Sequence, residues 1–222
     1  MKNHFAPAHL IFFILLLLFL LVLIQIEILT FAFEKLGLPP TLGLAVLLLS
    51  LFGSVINLPV MRVKSEAPPQ EIIQPPLWGL LRIPVQPFRH ETLIAVNVGG
   101  CLIPVSLSIY LFSNSGLTLS TVVLGVAIMS AISYYFSRPV PGFGIGMPIL
   151  IAPISAALVG ILLSPENSAP LAYISGAMGV LIGADLLNLK VIPKLGSPFA
   201  SIGGAGTFDG IFITGIVAAL LV

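Results

Sequence analysis

Charge is what this sequence has least of. Only 8% of its 222 residues are Asp, Glu, Lys or Arg, where a soluble domain carries about 25%. Nine basic against eight acidic residues leave a net charge of +1, so no electrostatic surface is available for nucleic acid, and none is expected as a partner. A single cysteine, Cys101, excludes an internal disulfide framework; set in an apolar run, it is a packing residue. His4, His9 and His90 are scattered and make no metal-ligand pattern. Gly142, Gly144 and Gly146 lack the strand and lysine of a phosphate-binding loop and read as a turn. No metal or cofactor is expected.

What is present is apolar: 58% of the residues, with a mean hydropathy of +1.16. That leaves too little polar surface for water, so the expected solvent is lipid. A crossing helix needs about 20 mostly apolar residues. Seven runs qualify: Leu10–Phe33, Thr41–Val60, Leu93–Phe112, Leu117–Phe136, Met147–Leu163, Pro170–Leu189 and Ala200–Val222. The first is too long for a signal-peptide core and no A-x-A site follows it, so it is expected to be retained. The predicted fold is an all-α, polytopic helical bundle in the cell membrane, forming a single domain over residues 1–222.

Loop charges agree with that count. With seven spans, one side holds Lys2, Arg62, Lys64, Arg82, Arg89, Arg138, Lys190 and Lys194, and the other only Lys35. Cytoplasmic loops are the basic ones, which places the N-terminus inside and the C-terminus outside. Tyr110 and Tyr173 then fall at outer span ends, and Tyr134 and Tyr135 at an inner one, depths that aromatic residues favour. Glu27 and Gln25 stand in the outer half of the first span, with Glu27 near the interface. The long connection over 62–92 is Pro-rich and cannot be one helix. Its Trp78, flanked by apolar residues and Arg82, suits a loop lying on the headgroups.

A short internal repeat is visible. The second span ends Ile56-Asn57-Leu58-Pro59-Val60 and the sixth Leu187-Asn188-Leu189-Lys190-Val191. The span after each opens on a glycine pair, Gly99-Gly100 and Gly203-Gly204. Both pairs of helices run in the same sense, as in transporters with parallel repeats. In this alignment Asp185 matches Ser54 and Asp209 matches Val105, so only the second copy carries acid.

Those two aspartates are the candidate catalytic residues. An Asp at mid-helix costs about 2.5–3.5 kcal/mol to insert, and an intramembrane acid is by default functional. Asp185 and Asp209 lie on either side of the short Lys190–Phe199 connection, in a helical hairpin over 170–222, with no basic residue in any span to pair with. Carboxyls meeting there would share one proton. That suits general acid–base catalysis through one water, or proton or cation coupling; alternatively each acid fixes packing. Around them Gly203, Gly204, Gly206 and Thr207 are candidate substrate-binding positions, together with Asn57, Asn97 and Asn188 near the cytoplasmic span ends. The glycines also serve close helix packing or an unwound, ligand-binding helix start.

Asn57-Leu58-Pro59, Asn97-Val98-Gly99-Gly100, Leu171–Gly176, Ile182–Asp185 and above all Ser201–Gly210 together resemble a family of small prokaryotic multi-pass membrane proteins catalogued as a domain of unknown function. The resemblance covers most of the chain and implies a membrane fold without a reaction. In arrangement the chain is also similar to the intramembrane aspartyl proteases of the presenilin and prepilin-peptidase type. These carry one Asp on each of two helices, with a Gly-x-Gly-Asp motif. Here Gly204-Ala205-Gly206 is separated from Asp209 by Thr207-Phe208, so the motif is offset by two residues, and no later Pro-Ala-Leu helix follows. The resemblance implies a peptide-bond hydrolase with an Asp185/Asp209 dyad and a membrane-peptide substrate. The competing expectations are a proton- or cation-coupled transporter or channel for a small ion, and a non-catalytic assembly factor.

Overall fold

The computed structural model describes residues 7–65, 90–140, 144–204 and 210–222. Helix α1 (Pro7–Lys35) is 29 residues long, about 43 Å at 1.5 Å per residue. From Ile11 to Ile28 every side chain faces outward. A helix apolar on all sides with nothing packed on it is matched to lipid. Its last turns rejoin the protein, where Ala32, Phe33 and Leu36 are buried. There Gly43 of α2 (Pro40–Gly53) makes room for the Phe33 ring, which a Cβ would meet at 2.5 Å or less.

After α2 the chain departs from helix. Strand β1 (Asn57–Lys64) pairs antiparallel with β2 (Glu91–Asn97). Pro59 cannot donate to a ladder, and β1 is accordingly an edge strand with an irregularity between Pro59 and Met61. From β2 the chain enters a π-helical turn (Val98–Leu102), then α3 (Ile103–Asn114) and α4 (Leu119–Phe136). A small hairpin, β3 (Arg138–Val140) and β4 (Gly144–Gly146), leads to α5 (Ile151–Leu163). A 3-10 turn (Pro165–Asn167) opens α6 (Ser168–Val180), which continues through a π-helical turn (Leu181–Leu186) and a 3-10 run (Leu189–Leu195) into β5 (Phe199–Ile202). β5 pairs parallel with β2, giving the order β1-β2-β5. The last element is α7 (Gly210–Leu221).

The protein is mainly helical, but it is not all-α. Each predicted span contains an apolar helix, yet among the described residues three helical stretches are long and apolar enough to cross a membrane: Ile11–Lys35, Leu119–Phe136 and Pro165–Leu186. Pro40–Gly53, Val98–Asn114, Ile151–Leu163 and Ile211–Leu221 are shorter. The predicted Thr41–Val60 ends as β1, Leu93–Phe112 begins as β2, and Ala200–Val222 begins as β5. The reason is general: a short apolar run fits a strand or the end of a helix equally well, and here sheet pairing decides between them. The connection over 62–92 is likewise a hairpin at both ends; its centre, with Trp78 and Arg82, lies outside the described residues.

Helix α6 is the centre of the bundle, packed against α3, α4, α5 and α7. Small residues let its neighbours approach closely: Gly179 lies against Met129, Gly183 against the Ser130 carbonyl, and Gly160 of α5 against Ser168 and Ala172. Tyr173, expected in an interfacial aromatic belt, is instead fully buried, its ring seated against Gly215 of α7. Tyr110, Tyr134 and Tyr135 are exposed, as is Glu27 on α1.

A polar knot closes the sheet end of the bundle. Asn97, 1% exposed, donates to the Ser54 carbonyl at 2.7 Å and to Asn57 Oδ1 at 3.0 Å, and accepts the Gly100 N–H at 2.8 Å. Gly99 lies against the Ser50 carbonyl and the Ser54 N–H so closely that no Cβ fits. Asn97→Ala is therefore expected to lower stability by about 2–3 kcal/mol, the cost of stranding buried polar groups, and Gly99→Ala by about 1–3 kcal/mol through overpacking. Gly146→Ala, where a Cβ meets only Val140 at 3.5 Å, should change little. Thermal unfolding of the purified variants in one detergent checks the order.

Candidate functional site

Asp185 stands in the π-helical turn that ends α6. Such turns leave part of the helical ladder irregular and are frequent at functional sites. Here the irregularity is supported from the C-terminal side: Asn188 donates its amide to the Gly183 and Ala184 carbonyls at 3.2 and 3.0 Å, covering acceptors that a helix end leaves open. The half-buried Asp185 accepts the Gly203 N–H on Oδ2 at 2.7 Å. That amide belongs to the turn that follows β5. Gly203 has φ +85° and sits against Gly100 and Cys101 with no room for a Cβ, so glycine is required there on both counts.

The strand placing Gly203 is itself tied to the polar knot. Ser201 donates to Asn57 Oδ1 at 2.6 Å, and β5 pairs with β2 from Leu93↔Phe199 to Val96↔Ile202. β2 and β5 are parallel strands, side by side, and each runs into a glycine pair. The end of the preceding helix meets each glycine pair, through Ser50 Oγ donating to the Gly99 carbonyl at 2.8 Å in one case and Asp185 accepting from the Gly203 N–H in the other. The strand register leaves Gly99-Gly100 two residues further along than Gly203-Gly204.

Asp185 lines a cavity of about 550 Å³ between the end of α6, β5, the β4 segment and the start of α7, within the usual size of a small-ligand site. Its walls are mostly apolar, with Ala184, Ile145, Ile202 and Ile211; Ser201 and Thr214 add hydroxyls. The structure therefore brings Asp185 and Gly204 to this cavity, with Gly203 joined to Asp185 beside it. Asn57 and Asn97 meet each other in the knot behind β5, and Asn188 is turned back onto its own helix. Gly206, Thr207 and Asp209 lie outside the described residues. Ser201 and Thr214 were not singled out by sequence reasoning, since an isolated hydroxyl in an apolar run carries no signal until its neighbours are known. Among the described residues no group of three or more His, Cys, Asp or Glu could hold a metal ion.

A cysteine at Ala200, on the cavity wall, should react readily with a membrane-impermeant maleimide, over the slow background of the buried Cys101. One at the fully buried Ala172 should not. Equal labelling of the two would mean that the cavity is closed to water.

The model of a family described as a protein of unknown function (DUF1614) matches residues 51–221. No curated protein and no solved structure matches the chain.

Proposed function

We propose that this chain, a member of the DUF1614 family of proteins of unknown function, is a multi-pass membrane hydrolase that cleaves a peptide bond within the bilayer with Asp185 and Asp209. The observation that supports it is the cavity: Asp185 lines it, and so do Gly204 and Ile211, which bracket Asp209 in sequence. One carboxylate takes a proton from water as the water oxygen attacks the peptide carbonyl carbon. The other, protonated, donates to the carbonyl oxygen. The resulting diol collapses, the C–N bond breaks, and a proton passes to the departing amine. The Gly203 N–H fixes the orientation of the Asp185 carboxyl, and apolar walls suit a membrane-peptide substrate.

The membrane arrangement that accompanies this proposal has about seven crossings, with the N-terminus and the sheet on the cytoplasmic side. It is supported by the eight-to-one division of basic residues. Among the described residues, Arg62, Lys64, Arg138, Lys190 and Lys194 stand on β1, β3 and the 3-10 run that contacts β2 and β3. Lys35 stands apart, reaching the Leu220 carbonyl at the far end of α7. Reporter fusions after Lys64 and Lys194 should read as cytoplasmic, and a fusion after Val222 as external.

Asp185→Asn and Asp209→Asn are each expected to abolish cleavage of a co-expressed membrane substrate, a loss of at least about 10²-fold if each supplies general acid–base catalysis. Full cleavage by either variant would refute the dyad. A coupled transporter is the second reading, favoured by the paired strand-to-helix breaks, since discontinuous helices form ion and substrate sites in transporters. Proton-coupled flux in proteoliposomes that is lost with Asp185→Asn, without any cleavage by the parent protein, would select it.

A further inference from the structure

At the end of the bundle remote from the sheet, a second cavity of about 390 Å³ lies where the ends of α1 and α3 meet the start of α6. Its polar lining includes Lys35, Tyr110, Asn114, Ser115, Glu166 and Asn167. Lys35 and Glu166 face this one space without pairing; among the described residues the ion pair present is Arg62–Glu91, at 3.9 Å. Lys35 is held by the Leu220 carbonyl at 3.4 Å and by the Phe31 face at 5.1 Å. An ammonium has three donors, so two remain for the cavity. Opposite charges held apart on one cavity wall match a ligand that carries both signs.

The remaining groups divide in the same way. The Ser115 hydroxyl is enclosed and has no partner among the described residues, a position that calls for one. Asn114 spends its amide on the Tyr110 carbonyl at 2.8 Å, which leaves its Oδ1 as an acceptor, and the Asn167 side chain is not used in capping α6. The surrounding surface is apolar and outward-facing: Ile28 and Phe31 on α1 and Ile109 on α3 are exposed, as positions along an acyl chain would be.

We propose that this cavity binds the zwitterionic headgroup of a phospholipid bearing a primary amine. The phosphate sits on Lys35, and the ammonium on the Glu166 carboxylate with the Asn114 and Asn167 amide oxygens. A primary ammonium donates three hydrogen bonds to these acceptors; a quaternary choline donates none. The site is independent of the Asp185 cavity and of any activity there.

The test uses the full chain, reconstituted in bilayers of equal phosphatidylethanolamine, phosphatidylcholine and phosphatidylglycerol, then extracted gently and weighed by native mass spectrometry. Retained phosphatidylethanolamine should exceed phosphatidylcholine by about tenfold, the scale of one or two charge-assisted hydrogen bonds. Glu166→Gln, at an exposed position where folding is not at stake, should erase that preference and raise phosphatidylglycerol. Lys35→Gln should lower retention of all three lipids. Equal retention by the parent protein, or a preference that survives Glu166→Gln, overturns the proposal. Free phosphoethanolamine is the control for source. If it competes the lipid away, headgroup recognition is supported; if it binds while no phosphatidylethanolamine is retained, the lipid is the wrong ligand and the proposal fails.

Discussion

Breaking a helix leaves backbone N–H and C=O groups without their helical partners, and every buried one must find another in the protein. In this chain the demand is met at Asn97. It lies at the point where β2 becomes helix, and its one side chain caps the π-helical turn through the Gly100 N–H while covering the Ser54 carbonyl at the end of α2. Through Asn57 Oδ1 it is joined to Ser201, so all three strands of the sheet converge on one polar knot. The position of β5 follows from that knot and from its pairing with β2. The position of Gly203 follows from β5, and the orientation of the Asp185 carboxyl follows from Gly203.

Close approach is the second condition. Gly99 against Ser50 and Ser54, and Gly203 against Gly100 and Cys101, are contacts that a methyl group would prevent. They bring the glycine pairs that follow β2 and β5 against each other and against the preceding helices. Elsewhere the same device serves packing alone, as where Gly215 admits the Tyr173 ring. Glycine in this protein thus has two uses that look alike in sequence: holding helices together and aiming a backbone amide at a carboxyl.

The two ends of the bundle differ in chemistry. The sheet end carries Arg62, Lys64, Arg138, Lys190 and Lys194 and a cavity with an acid on its wall; the opposite end sets Lys35 and Glu166 in a polar hollow beside exposed apolar side chains of α1 and α3. The family match begins at residue 51, so α1, whose apolar side chains from Ile11 onward are exposed, precedes the matched region. That region contains every strand among the described residues, the polar knot and Asp185.

Composition and hydropathy alone determined that the chain is built for lipid and located its seven apolar segments, because apolar length and scarcity of charge are properties of a linear chain. They also marked Asp185, since an acid in an apolar run has no ordinary reason to be there. The glycine pairs and the short repeat were legible too, although as a pattern without a shape. Only the tertiary structure decided that Asn57–Val60, Leu93–Asn97 and Phe199–Ile202 are strands, because a short apolar stretch becomes sheet or helix according to the partner it meets. For the same reason it alone could give Asn97 to the knot, Asn188 to a helix end, Tyr173 to the core and Ser201 and Thr214 to the cavity. A side chain's neighbours across more than a hundred residues are set by how helices and strands pack, and no local pattern records them.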